Sequence, residues 1–299
     1  QTVEIEGDLS EIIDLFVRIN STGKSLTSAE KRHARYFSSA FLLKAEELAR
    51  KNKNYLSKIL SSGQISRMKH VELVSELLAS IYSGGLIDKK KAVDKIVGGD
   101  SVDKRSLERC ANQFTRVLNL VKNILPEIAA TRFAKVVDFY SLFMLVYEMD
   151  RQGKVLNDKK RNQQAQKLLI ALSNGVDQVQ QQVHRAEGAT PEQHLFRDYF
   201  LTIRGDTDSS ATRKRRAKII GQVLGGLFEQ KDNQRNFTPE QRRLIWHSDE
   251  EKKCKRCEMP LSWNNFTIDH ITAHGRGGRT SISNAALMCR SCNSSKGIR

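Results

Sequence analysis

Proline is scarce in this chain, with only Pro126, Pro191, Pro239 and Pro260 among 299 residues. Proline removes a backbone donor and clashes with the preceding turn, so long stretches without it leave helices free to run. Aromatic residues are also few, at 7%, which argues against a stacking platform for single-stranded bases. No apolar run approaches the ~18 residues that a membrane-spanning helix needs. The five cysteines, Cys110, Cys254, Cys257, Cys289 and Cys292, are too few and too clustered for a disulfide scaffold. The opening "QTVEIEGDLS" has neither the basic nor the apolar part of a secretory signal. It also lacks an initiator Met, so the chain reads as a fragment or a processed product. A cytoplasmic protein with no membrane partner is the expectation.

Acidic residues are in deficit as well. Lys and Arg number 50 against 34 Asp and Glu, a formal charge of +16 with a pI near 9.7. Such a surplus selects polyanions, nucleic acid first and an acidic membrane surface second. Basic runs stand at 89–91, 159–161 and 213–216. A DNA path along them would bind with strong salt dependence. Arg213, Lys214, Arg215 and Arg216 are the densest of these candidates.

The spacing of apolar residues predicts a mainly α protein over residues 9–230. "TSAEKRHARYFSSAFLLKAEELARKN" reads as one helix with Ser25 or Thr27 as its N-cap. "VVDFYSLFMLVYEMDRQG" is apolar on most faces and belongs in the core. Thr-Pro-x-Gln boxes at Thr190–Gln193 and Thr238–Gln241 mark two helix starts. The polar stretch 229–237, "EQKDNQRNF", is the linker candidate. It divides a helical region, 1–232, from a small module, 238–299.

That module holds two Cys-x-x-Cys pairs, "CKRC" at 254–257 and "CRSC" at 289–292. A two-residue gap lets two thiolates of one knuckle reach one ion, and two knuckles close a tetrahedral site suited to Zn²⁺. Four thiolates leave no position for substrate, so this ion is expected to be structural. Cys110, alone in a helical pattern, reads as a buried free thiol.

Between the pairs lie Asp269 and His270, then Asn284. Asn293 and Lys296 follow the last cysteine. The order Asp-His, Asn, Cys-x-x-Cys-Asn-x-x-Lys resembles the zinc-containing HNH endonucleases, over roughly residues 240–299. The resemblance implies a ββα-metal fold and an active nuclease. It also implies that Asn284 holds the intervening loop and fixes the surroundings of His270. The chemistry is legible in the residues as well. Phosphodiester hydrolysis needs a base for the attacking water and a cation for developing charge. His270 suits the base. Asp269 is a hard oxygen ligand for Mg²⁺ or Mn²⁺, and Asn293 offers a second, neutral oxygen. Neighbours on a strand face opposite sides, so a strand carrying both Asp269 and His270 must end or distort there. Lys296, Arg276 and Arg279 are candidate phosphate contacts, and glycines 275, 277 and 278 would let the backbone approach nucleic acid closely.

Residues 15–37, "LFVRINSTGKSLTSAEKRHARYF", resemble the characteristic segment of the DUF262 family through Phe16, Arg18, Asn20, Gly23, Leu26 and Glu30. The segment from Arg67 is similar too. This resemblance implies a restriction or anti-phage role and a nucleotide-related motif. The family's Asp-Gly-Gln-Gln-Arg stretch is absent from this chain. Arg18 and Asn20 would then be the remaining half of a nucleotide site, or simply an ion pair and a helix end. The combined reading is a DNA endonuclease acting on double strands, monomeric or a homo-oligomer. Its rivals are a nucleotide-responsive DNA-binding regulator with an inert HNH module and an RNA-directed nuclease.

Overall fold

The computed structural model describes residues 25–99, 102–156, 159–181, 190–230, 232, 234–248 and 251–296, with 8, 11–13 and 15. Phe16, Arg18, Asn20 and Gly23 lie outside them. The fold is mainly helical, with two small two-stranded antiparallel sheets. No helix among the described residues is long and apolar enough to cross a membrane.

The chain forms two compact units. One comprises Gln1–Glu148 and Ala165–Gly225, the other Met149–Gln164 and Gly226–Arg299. The second unit thus includes a segment far from it in sequence. The reason is a backbone ladder: β1 (Lys154–Val155) pairs antiparallel with β2 (Glu229–Gln230). Residues 229–230, within the stretch read as a linker, are therefore held in a sheet.

The main helices of the first unit are α1 (Ser28–Arg35), α2 (Ala40–Lys51), α3 (Lys69–Tyr82), α4 (Lys89–Val97) and α5 (Lys104–Ile124). After them come α6 (Val136–Arg151), α7 (Lys159–Gln181), α8 (Pro191–Leu201) and α9 (Ser210–Leu224). The single helix predicted over 27–52 is two. Thr27 caps α1 in a reciprocal box with Glu30, and Ser39 starts α2 afresh. Glu30 is also gripped by Arg67 at 2.7 Å. The first Thr-Pro-x-Gln box, Thr190 to Gln193, caps α8.

The core gathers around α3, where every residue from Val71 to Ile81 is buried, with α2 and α5 packed on it. In α6, Asp138 through Tyr147 are all buried, as its even apolar distribution demands. The rings of Tyr55, Phe139, Phe143 and Phe114 form a chain at centroid spacings of 6.3, 6.2 and 5.4 Å. Cys110 is half-buried on α5, and burial pushes its thiol up.

Two of the four basic residues of the α9 run, Arg213 and Arg216, are turned into the fold and cannot line a DNA path. Arg213 and Arg216 are only 2% and 1% exposed. They stand three residues apart, hence on one helical face, and that face is turned inward. Arg213 forms a buried ion pair with Glu76, donates to Ile87 O at 2.9 Å and lies 4.1 Å over the Tyr140 ring. Arg216 donates to Thr202 O at 2.6 Å, Thr207 O at 3.0 Å and Ser141 Oγ at 3.0 Å. Both guanidinium groups serve the fold. Lys214 and Arg215 are exposed, and Arg215 pairs with Asp198 at 3.0 Å. Arg213→Ala should therefore cost about 3–5 kcal/mol, because it breaks a buried ion pair and removes the hydrogen bond to Ile87 O. Lys214→Ala and Arg215→Ala should each change stability by less than about 1 kcal/mol. Urea unfolding of the three variants checks this; a small Arg213 effect would contradict it.

Candidate functional site

The second unit builds its site on a hairpin. Strand β3 (Phe266–His270) pairs with β4 (Ala285–Cys289), Phe266 opposite Cys289 and His270 opposite Ala285. The helix α10 (Pro239–Ser248) precedes it, with Thr238 and Gln241 exchanging hydrogen bonds of 2.9 and 3.2 Å at its start. A short helix, α11 (Arg290–Lys296), follows β4 directly. Ile245, Leu261, Phe266, Leu287 and Met288 form a small core with Cys254 and Cys289. Trp246 and Trp263 flank Phe266 at 4.6 and 5.2 Å, and Arg242 lies 4.2 Å over the Phe266 ring.

The four thiols Cys254, Cys257, Cys289 and Cys292 converge, with all sulfurs within 4.8 Å of one another. A tetrahedron of Zn–S bonds near 2.3 Å has sulfurs ~3.8 Å apart, and Cys257 Sγ to Cys289 Sγ is 3.9 Å. These four cysteines can bind a metal such as zinc. Their knuckles are shaped for it. Glu258, just past the first pair, adopts a left-handed φ of 59°, and its N–H closes on Cys254 O at 2.8 Å. In the second knuckle Cys292 N–H points at Cys289 Sγ, 3.4 Å away. Burial pushes the Cys254 thiol up, but backbone donors from Cys289, Cys257 and Arg256 outweigh it and bring it down to about 6, while hydrogen bonds to Cys289 and Cys257 push Cys292 up to about 12. A thiolate is the ligand form.

Strand β3 ends at His270, so its last two side chains leave on different sides. Thr267 and Asp269 face α11. Lys296 Nζ sits 2.6 Å from Asp269 Oδ2 and also donates to His270 O at 2.9 Å. Asn293, one helical turn before Lys296, donates from Nδ2 to Thr267 Oγ1 at 3.1 Å. Asp269 Oδ1 accepts from His270 N at 2.8 Å. Beside this face lies a groove of about 620 Å³ whose lining includes Lys255, Arg256, Ile271, Met288 and Lys296.

His270 faces the other way and is buried. Its ring lies 4.7 Å from that of Phe237, and its Nε2 is 3.0 Å from Thr280 Oγ1. Burial, and then the neighbouring His274, hold its pKa below the ordinary imidazole value. Its neutral form therefore prevails at neutral pH. His274 places Nε2 2.8 Å from Asp232 O.

The loop between the strands is closed by Asn284. Its Oδ1 accepts from Thr272 N at 2.8 Å, and its Nδ2 donates to Thr272 O at 3.0 Å and Arg279 O at 2.8 Å. Two of the loop glycines answer to the loop itself. Gly277 has a φ of 83°. A Cβ on Gly278 would lie 1.7 Å from Thr272 O. Gly278→Ala must therefore break the Asn284 clamp, and should destabilise this unit by ~1–3 kcal/mol or more. A thermal melt followed by tryptophan fluorescence, with Trp246 and Trp263 in this unit, reads that change. Arg276 and Arg279 are exposed on the loop.

Sequence reasoning did not single out Thr280, Asp232, Gln234 or Phe237. None stands in a periodic pattern or beside a cysteine. Only folding brings them to His270.

A hairpin followed by a short helix, joined by two cysteine knuckles that can bind a metal and carrying an acid and an imidazole at one strand end, defines a small ββα module. Residues 254–299 match the HNH endonuclease family, and this match points to a nuclease. It covers the C-terminal part alone and does not bear on residues 15–37. No curated protein and no solved structure matched the chain significantly.

Proposed function

We propose that the second unit hydrolyses phosphodiester bonds of double-stranded DNA. Asp269 and Asn293 would hold Mg²⁺ or Mn²⁺, and His270 would take the proton of the attacking water. The observation that carries the reading is the pairing of the Asp269 carboxylate with a cationic group, Lys296 Nζ, one helical turn from the Asn293 amide. Positive charge is at home on this face, and both side chains offer the hard oxygen donors that Mg²⁺ and Mn²⁺ prefer. When bound, such an ion neutralises charge on the phosphate and the departing oxygen.

In this reading the phosphate lies across the strand end at His270, with Asp269 on one side of the strand and His270 on the other. The water oxygen bonds to phosphorus as the bond from phosphorus to the leaving sugar oxygen breaks. His270 keeps the water's proton, and the leaving oxygen takes one from solvent. Lys296, Arg276 and Arg279 supply phosphate contacts, while Asn284 holds the loop that carries the two arginines. Zn²⁺ on Cys254, Cys257, Cys289 and Cys292 maintains the fold.

The resemblance of residues 15–37 supports foreign or phage DNA as the target, in a restriction or defence setting, with Arg18 and Asn20 contributing to nucleotide control. The test is incubation of the full chain with supercoiled plasmid and with RNA, in Mg²⁺, in Mn²⁺ and in chelator. Metal-dependent cutting of plasmid supports the reading. Cutting of RNA alone, or binding without cutting, would replace it with one of the rival functions.

A further inference from the structure

His270 Nε2 lies 3.0 Å from Thr280 Oγ1, and the same hydroxyl donates its hydrogen to Gln234 O. A hydroxyl carries one proton, and a carbonyl only accepts. With that proton committed to Gln234, Thr280 Oγ1 can only accept from the ring. Nε2 must then carry the hydrogen, and in the neutral imidazole the lone pair falls on Nδ1.

Gln234 is itself held in place. Asp232 Oδ1 accepts from Gln234 N at 2.9 Å, and its Oδ2 accepts from Thr280 N at 2.7 Å. Gln234 Nε2 donates to Gln241 Oε1 at 3.0 Å, and Gln241 Nε2 donates to Thr280 O at 3.0 Å. Phe237 closes the strap with its ring on the imidazole. Asp232, Gln234 and Phe237 all precede the 254–299 stretch that matches the family.

We infer that Thr280 and the strap of Asp232, Gln234 and Phe237 are positioning residues that lock His270 as its Nε2–H tautomer, leaving Nδ1 to accept the proton of the attacking water. This rests on the reading of His270 as the base. The residues that serve the site then extend back to Asp232, ahead of the stretch that matches the family. The strap is the part of this chain that sets which nitrogen reacts.

Three variants of the full chain, Thr280→Val, Thr280→Ser and His270→Ala, test it on supercoiled plasmid. Thr280→Val keeps the shape of the side chain and removes the hydroxyl. Partners that orient metal-bound histidines contribute about 10–100-fold; by the same logic the kcat of Thr280→Val should fall by about that factor with KM unchanged. Thr280→Ser should restore the rate. In the wild-type chain, ¹⁵N spectra of the imidazoles at a pH where the ring is neutral should report His270 with hydrogen on Nε2. A wild-type rate in Thr280→Val while His270→Ala is inactive overturns the positioning role alone. Failure of Thr280→Ser to restore the rate, or hydrogen on Nδ1 in the wild type, also overturns it. Full activity in His270→Ala overturns the base reading beneath it. If Thr280→Val does not fold, the wild-type spectrum and Thr280→Ser still decide.

Discussion

Replacing His270 by Ala should lower the rate of plasmid cleavage by about 10²–10⁴, the usual contribution of a positioned base. The variant should keep its divalent-ion requirement, because the Asp269 carboxylate and the Asn293 amide face α11 on the other side of the strand. Asp269→Ala should act differently. It removes the carboxylate partner of Lys296, so the concentration of Mg²⁺ or Mn²⁺ needed for half-maximal cutting should rise steeply. Neither change touches the four thiols, so bound zinc and the circular dichroism spectrum should stay as in the wild type. One hairpin offers one set of these groups, so a monomer should nick before it linearises. A gel time course reads both effects. Undiminished cutting by His270→Ala would remove this residue from the chemistry. Linear product without a nicked precursor would show two copies acting on opposite strands.

Stripping the metal should have an even larger structural effect. Among the described residues the buried core around the hairpin numbers seven, and Cys254 and Cys289 are two of them. A core that small cannot hold a fold by apolar burial alone. Structural zinc in cysteine-rich modules contributes an apparent ~10–16 kcal/mol near neutral pH. Chelation, or Cys254→Ser or Cys292→Ser, should therefore unfold residues 251–296. The helical unit should persist, since its core is made by α2, α3, α5 and α6. Limited proteolysis with and without chelator distinguishes the two units, and elemental analysis identifies the ion. Protection of 251–296 that survives metal removal would refute the dependence.

The features legible from sequence are those set by neighbours a few residues apart. Thr27 with Glu30, Thr190 with Gln193 and Thr238 with Gln241 each close a helix start by bonds spanning three positions. The knuckles are equally local, since a two-residue gap already aims two sulfurs at one point. The all-round apolar pattern of α6 also announced its burial. Tertiary structure decided what depends on distant partners. A run of four basic residues shows no preferred side until Glu76, 137 positions away, takes Arg213 inward. A polar stretch looks like a linker until β1 pairs with β2 and Asp232 reaches Thr280, 48 positions on. Nor does sequence show which nitrogen of His270 holds the hydrogen, because that turns on where Thr280 sends its own. The physical reason is common to all of these. Bonds within one turn follow from backbone geometry, whereas the burial of a charge or the direction of a proton is settled only by groups that folding brings together.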